Sequence, residues 1–435
     1  MPDTFSLPRG MRDISSDEMI QRIWLYDKIR EVVTRYGFQL VEPSTIENLE
    51  TLEAKSGPAI RNEIYWFKDK AERNLGLRFD LTVGLTRMVT SRSDIPEPIK
   101  YACIGGNWRY DEPQFGRYRY FTQWDIEIFG SASPAADAEV ICVGADIMQN
   151  VGLKDYKIKI SNRKLIEAYL NELGLRSGEK LDQTLRIIDK IRKITRQELE
   201  REFETIGIEP STIEKILAFI SISGSPQNVL QALRGFQFRE EEAKTAIDEL
   251  KLLADSLQAY GRSDICTYDL SIVRGIGYYD GIVFEGYDQT EEVGAVFGGG
   301  RYDGLCRIFG KRDMAATGVA GGVERLMISL ERANLFPRTR RTAKVFIATV
   351  QSEMYLEAAK LARQLRERNI STQVDLKERS LSKQVEYVSA SGIPYMIVLG
   401  RRELESRVVR IKNMLAREEY EVALDEVASR LEKLE

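Results

Sequence analysis

Residues 108–130 read WRYDEPQFGRYRYFTQWDIEIFG, and the alternation within them decides the fold. Successive side chains of a strand point to opposite faces. Arg119, Phe121, Gln123, Asp125 and Glu127 therefore share one side, while Tyr120, Trp124, Ile126 and Ile128 share the other. The second side reads as core and the first displays charge and flat rings. Arg109 and Asp111 fall together by the same rule, and Glu112-Pro113-Gln114-Phe115-Gly116 supplies the Pro and Gly of a loop between two paired strands. A half-buried hairpin with a solvated charged face has the same pattern, so the rest of the chain has to decide between them.

The 435 residues include no histidine. Ser-His-Asp and Cys-His catalysis, an imidazole base and every zinc site that needs His are therefore excluded within this polypeptide. Cys103, Cys142, Cys266 and Cys306 stand alone, without a C-x-x-C pair, which suggests neither a Cys-only zinc site nor a disulfide framework. A reduced, cytoplasmic setting fits that usage. Hydrophobic content of 43% with 30% charged residues describes an ordinary globular chain of two or three domains. No run of about 18 apolar residues is present to span a bilayer, and MPDTFSLPRGMRD at the start has no apolar signal core. A net charge of −4 gives no global basic footprint, so any contact with nucleic acid rests on local patches.

Ser15 and Glu18 have capping-box spacing, and Leu25, Ile29, Val32, Val33 and Tyr36 follow at helical intervals, so a long amphipathic helix closes at Gly37. Phe38 to Val41 reads as a strand with Pro43 at its edge. Arg78 to Leu85, RFDLTVGL, reads as an extended segment carrying Asp80 and Thr82 on one face, before a helix around Thr86 to Val89. Highly charged helical sequence fills about 165–260, and strand-like, Gly-rich sequence returns at Tyr268. After the basic stretch 337–342, KVFIATV, STQVDL and YMIVLG alternate with helical segments, the pattern of strands joined by right-handed crossovers.

Two glycine-rich sites follow, VRGIGYYDG at 273–281 and GGGRYDG at 298–304. Neither continues as a P-loop or a dinucleotide fingerprint, and glycines outside those contexts usually make turns. The Arg and Tyr within them are harder to dismiss. At 317–326, TGVAGGVERL runs small residues into a helix bearing Arg325, whose planar fork suits a phosphate. Arg109, Arg274 and Arg325 with several carboxylates suit a triphosphate and its metal ions, and nucleotidyl transfer, which depends on positioning and charge stabilisation, needs no catalytic histidine.

Together these residues reach a family. Trp108 to Gly130 resembles motif 2 of class II aminoacyl-tRNA synthetases, Gly318 to Leu326 resembles motif 3, and the helix ending at Gly37 with Phe38 to Pro43 resembles motif 1, which in that class forms the dimer interface. VRGIGYYDGIVFE and GGGRYDGL resemble the two signature peptides of histidyl-tRNA synthetases, and with RFDLT and PRGMRD the resemblance covers nearly the whole chain. It implies an α+β catalytic domain at 1–330, an antiparallel sheet flanked by helices, interrupted by a helical insertion at about 165–260. A linker at 331–342 and an α/β anticodon-binding domain at 343–435 would follow.

The activity implied is ATP-dependent formation of histidyl-adenylate and transfer to the 3'-terminal ribose of the tRNA for histidine, in a cytoplasmic homodimer. Mg2+ would accompany ATP, without zinc or a fixed protein metal site. By motif position, Arg109 and Arg274 would be catalytic at the α-phosphate. Asp111, Arg117, Phe121 and Arg325 would join Arg109 on ATP, with Phe121 on the adenine and Arg325 on the γ-phosphate. Asp80, Thr82 and Gln123 would hold the α-ammonium of histidine. Glu127 and Tyr279 would face its imidazole, with Arg274, Tyr278 and Tyr302 nearby. Gln114, Arg401 and Arg402 are tRNA candidates. Gly277 stands where the family commonly has Asp, and Asp111 where many members have Glu, which shortens the reach and keeps the charge. Two other readings are a synthetase-like regulatory subunit of histidine biosynthesis and a class II synthetase for another amino acid. The three arginines argue against the first, and Glu127 with Tyr279 against the second.

Overall fold

The computed structural model describes residues 5–110, 112, 118–176, 178–192, 194–274, 279–288, 290, 293–309, 314–337 and 343–434. Asp111, Gln114, Arg117, Gly277 and Tyr278 lie outside them. The chain divides into two compact units, one of residues 1–14 and 21–336 and one of residues 15–20 and 337–435.

In chain order the elements begin with α1 (Ser16–Arg35), β1 (Gln39–Leu40), β2 (Ile46–Asn48), α2 (Leu49–Ser56), β3 (Trp66–Lys68), β4 (Asn74–Leu77), α3 (Thr82–Thr90), β5 (Ile99–Trp108), β6 (Tyr120–Phe129), α4 (Pro134–Asn150) and β7 (Tyr156–Asn162). Helices α5 (Arg163–Glu172), α6 (Glu179–Ile188), α7 (Arg196–Thr205), α8 (Pro210–Ile220), α9 (Pro226–Leu233) and α10 (Glu241–Ala259) follow, with the two-residue β8 (Ser223–Gly224) among them. Then come β9 (Cys266–Asp269), β10 (Ile282–Asp288), β11 (Phe297–Arg301), α11 (Asp303–Phe309), β12 (Ala316–Gly322) and α12 (Val323–Arg332).

Ser15 Oγ accepts the Glu18 amide at 3.2 Å, as the capping spacing requires, and Leu25, Ile29, Val32 and Val33 are buried along one side of α1. Gly37, at φ 76°, takes the left-handed conformation that ends the helix. Among the described residues a nine-stranded sheet has the order β1-β5-β6-β12-β11-β10-β7-β9-β8. Its pairs from β5 through β7 are antiparallel, as the family resemblance implies, and parallel pairs (β1 with β5, β7 with β9) make the sheet mixed towards its edges.

Helix α4 is apolar on nearly every side because it is covered nearly all round, and one apolar cluster runs from α1 and α4 across the sheet to Leu181, Phe203 and Phe219 of the charged helical stretch. The polar surfaces of α6 and α7 face solvent and the apolar stripes join that core, so a charged sequence still folds onto it. No helix among the described residues is long and apolar enough to cross a membrane.

Two expectations change. Arg78 to Leu85 is not extended throughout: β4 stops at Leu77 and α3 begins at Thr82. Asp80 draws the helix start forward, because its carboxylate accepts the Val83 amide at 3.1 Å and so satisfies a first-turn donor. Gly298, Gly299 and Gly300 do not make a turn; they lie inside β11, between β10 and β12. A Cβ on Gly299 would come within 1.9 Å of the Gly318 carbonyl oxygen, so the close approach of neighbouring backbone requires glycine there.

The second unit contains β13 (Val345–Thr349), α13 (Tyr355–Glu367), β14 (Thr372–Val374), α14 (Leu381–Ala390), β15 (Tyr395–Leu399), α15 (Arg401–Ser406), β16 (Val408–Asn413), β17 (Glu418–Ala423) and α16 (Val427–Lys433). Its sheet order is β14-β13-β15-β16-β17, with the first three strands parallel, as the alternating pattern implies. The antiparallel hairpin β16–β17 adds two strands that the reading of the sequence did not include, although VVRIKN carries the period-2 signal.

Candidate active site

The face of β6 expected to carry chemistry does face a cavity. Phe121, Gln123, Asp125 and Glu127 line a space of about 430 Å³, within the usual range for a small-molecule site. Trp124, Ile126 and Ile128, on the other face, are buried in the core. The cavity wall also includes Asp80, Thr82, Arg109, Arg274, Tyr279, Tyr302 and Arg325, so ten of the candidate residues from separate motifs converge. Arg401 and Arg402 open α15 of the second unit and are exposed. The four cysteines are buried and burial pushes Cys103, Cys142 and Cys266 up to about 12, which leaves those three as thiols at neutral pH.

Each wall has its own support. Arg109 Nε donates to the Phe79 carbonyl at 3.0 Å, and its guanidinium lies 4.9 Å from the Phe121 ring centroid, a cation–π contact. Gln123 Oε1 accepts from Asn107 Nδ2 at 2.7 Å, which fixes the direction of the Gln123 amide. Thr82 Oγ1 donates to Asp125 Oδ2 at 3.2 Å, bringing α3 to β6. The Tyr302 hydroxyl donates to Glu127 Oε2 at 2.6 Å in a place where Glu127 is 2% exposed.

Arg325, in the first turn of α12, donates to the Ala295 carbonyl at 3.0 Å. Its neighbour Glu324 accepts the Thr122 amide on both oxygens at 3.1 Å and pairs with buried Arg22 at 2.7 Å. That carboxylate takes up a strand donor where β12 has ended, so one clamp holds α1, β6 and α12 together. Arg274 has the left-handed φ of 46° and places its guanidinium beside Glu285 and the Phe284 carbonyl, each at 3.4 Å.

Arg301, in the second glycine-rich site, has a different place. It is 3% exposed and binds Asp137 at 2.6 Å and the Ser131 carbonyl at 2.9 Å, while Thr317 Oγ1 also donates to Asp137 at 2.6 Å. Burial pushes the Asp137 carboxyl up to about 6 against the opposing pull of Arg301. This pair ties α4 to β11 and β12. Arg301→Met is therefore expected to lose roughly 3–5 kcal/mol, because it leaves a buried carboxylate without its cation. Thermal unfolding should show a midpoint lowered by several degrees, and an unchanged midpoint would contradict this role.

Sequence reasoning missed Glu285 as a cavity residue, although Val283, Glu285 and Tyr287 share one face of β10 by alternation. Glu324 and Asn107 were also missed, and there the signal is weak, since each matters through a partner distant in sequence.

Residues 10–326 match the family model described as histidyl-tRNA synthetase, and residues 344–434 match that of an anticodon binding domain. The chain belongs to the histidyl-tRNA synthetase family. It is similar to the histidine–tRNA ligase of Pyrococcus horikoshii, 37% identical over 428 residues and covering 98% of each chain. It is also 37% identical over 429 residues to the ligase of Pyrobaculum neutrophilum, covering 96% of this chain and 97% of that one. Among solved structures it is similar to the histidyl-tRNA synthetase from Nostoc sp. PCC 7120, with a TM-score of 0.84, 28% identity and 99% of each chain covered. For a histidyl-tRNA synthetase family member, the cavity between β6, β10, β11 and β12 is the natural candidate for the adenylation site.

Proposed function

We propose that this chain activates histidine with ATP to histidyl-adenylate and transfers the histidyl group to the 3'-terminal ribose of the tRNA for histidine. The observation that carries this is a single cavity holding three arginines, Arg109, Arg274 and Arg325, together with the buried Glu127 carboxylate that Tyr302 orients. Membership of the histidyl-tRNA synthetase family supports the same reading.

The chemistry follows from the side chains. Phe121, with Arg109 against one face, offers a stacking surface for adenine. Arg325 meets the γ-phosphate, and Arg109 and Arg274 the α-phosphate. Asp80, Thr82 and the second lone pair of Gln123 Oε1 accept from the α-ammonium group. Glu127 accepts the imidazole N–H, and the Tyr279 hydroxyl faces the second ring nitrogen. A carboxylate oxygen of histidine then bonds to the α-phosphorus as the bond to pyrophosphate breaks. The attacking oxygen is already ionised, so no base is needed, and arginines with permanent charge stabilise the developing negative charge. In the second step a ribose hydroxyl attacks the adenylate carbonyl, the acyl–phosphate bond breaks, and AMP leaves with the hydroxyl proton passed to its phosphate.

Mg2+ is read as arriving with ATP. Such an ion takes hard oxygen ligands, which the phosphate oxygens of ATP and water supply. The bound ion would neutralise phosphate charge. Residues 165–260 are read as an insertion, 331–342 as a linker and 343–435 as the anticodon-contacting part. Gln114, Arg401 and Arg402 are the tRNA candidates. A cytoplasmic homodimer completes the proposal.

Amino-acid-dependent exchange of labelled pyrophosphate into ATP, run across the twenty amino acids, tests it. Exchange with histidine alone is expected. Folded protein that binds histidine yet supports no exchange would favour the regulatory-subunit reading.

A further inference from the structure

Arg192 belongs to the link between α6 and α7, in the helical stretch, and is not part of the cavity wall. Its guanidinium nevertheless bridges the two strands that flank Arg274. Nη2 pairs with Asp269 at the end of β9, and Nη1 donates to the Tyr287 hydroxyl on β10 at 3.1 Å. Asp269 shapes the turn towards Arg274, its carboxylate accepting the Ser271 amide at 3.0 Å and its carbonyl the Ile272 amide at 3.2 Å. On the other side, the Tyr287 hydroxyl donates to Glu285 Oε2, while Glu285 Oε1 stands 3.4 Å from Arg274 Nη1.

We propose that Arg192 is a positioning residue for Arg274, acting through Tyr287 and Glu285, and that it links the helical stretch to the catalytic arginine. The proposal rests on the reading of Arg274 given above. With Oε2 committed to Tyr287, Glu285 turns one oxygen towards Arg274, and the 3.4 Å contact is long for a charge-assisted bond. Arg274 is thereby ion-paired to Glu285 through Oε1. Without the Tyr287 hydroxyl, both carboxylate oxygens can turn to the guanidinium and form the two-bond fork that arginine prefers, withdrawing it from the phosphate. Arg192 strengthens the restraint, because a hydroxyl that accepts from a cation is a better donor onward. The left-handed backbone of Arg274 is sterically disfavoured for a residue with a β-carbon and persists only where its surroundings hold it. Bracing both flanking strands from one side chain does that.

Tyr287→Phe removes the hydroxyl alone, and Arg192→Leu removes the anchor. Each is expected to lower kcat for histidine-dependent exchange about tenfold, the equivalent of one hydrogen bond to a charged group, with the KM for histidine changed less than about twofold. The double variant should match the single ones, because both act through one path. A merely structural role would instead shift thermal stability and leave the kcat-to-KM split alone. Folded Tyr287→Phe with unchanged kcat, or losses that multiply in the double variant, would overturn the proposal. Hydrogen exchange of the 270–284 backbone reads the link without activity: Tyr287→Phe should change its protection, and no change counts against the link. Absence of exchange in the unsubstituted protein would sink the adenylation reading, while hydrogen exchange still decides the link.

Discussion

Gly298→Ala is expected to abolish histidine-dependent pyrophosphate exchange while the protein stays folded. A Cβ at that position would lie 1.8 Å from Arg274 Nη1 and 3.0 Å from both Arg274 Cζ and the Phe284 carbonyl oxygen. No real methyl group tolerates the first distance, so something must yield. What yields is the far end of a flexible side chain, which costs the fold little and the site a great deal. An arginine aimed at developing charge contributes through its position, and losing one such group typically costs about 10²–10³ in rate. Gly298→Ala should therefore approach the loss expected of Arg274→Ala, with a thermal midpoint close to that of the parent.

Gly299→Ala is the informative contrast. There the added carbon would meet the Gly318 carbonyl oxygen at 1.9 Å, which is backbone of the paired strand, and it should cost stability rather than act at Arg274 alone. Measured together, exchange rate and unfolding midpoint separate the two. Exchange near the parental rate in Gly298→Ala would mean that the guanidinium position seen here is not the one that matters.

The same glycines mark where reading the sequence stops. Alternation in β6 is a local property, so the cavity face of Phe121, Gln123, Asp125 and Glu127 was legible from 108–130 alone, as was the start of α1 from Ser15 and Glu18. The three glycines at 298–300 carry no side-chain pattern. Their meaning depends on what stands across from them: Arg274 for Gly298, and the Gly318 carbonyl for Gly299. Register between strands distant in the chain supplies that, and no window of residues contains it. Arg301 shows the reverse error. It sits in a suggestive peptide beside Tyr302, yet the alternation that points Tyr302 towards the cavity sends Arg301 to Asp137 on the opposite side. Thr82 shows a third kind, in which one capping carboxylate, Asp80, outweighed the strand propensity around it.

Gly318→Ala is expected to act on histidine rather than on the phosphate chemistry. Its Cβ would fall 1.5 Å from Glu127 Oε2 and 2.4 Å from Cδ, so the carboxylate must leave its place. Oε2 is the oxygen that accepts the Tyr302 hydroxyl at 2.6 Å, and displacement breaks that bond as well. A carboxylate at 2% exposure has little water to fall back on, so a ligand that fails to match it is strongly disfavoured. Once it is moved, an imidazole N–H bound as proposed would lose its acceptor, and the desolvation of both groups would no longer be offset. The KM for histidine should rise roughly 100-fold, as for loss of a hydrogen bond to a buried charge, while ATP binding measured by equilibrium dialysis stays near the parental value. Tyr302→Phe separates the two contributions, since it removes the orienting hydroxyl and leaves the carboxylate where it is. A smaller rise, about fivefold, is expected from that loss of one hydrogen bond. If Gly318→Ala left the KM for histidine unchanged, Glu127 would not be the group that meets the imidazole, and Asp125, on the same face of β6, would become the carboxylate to test next.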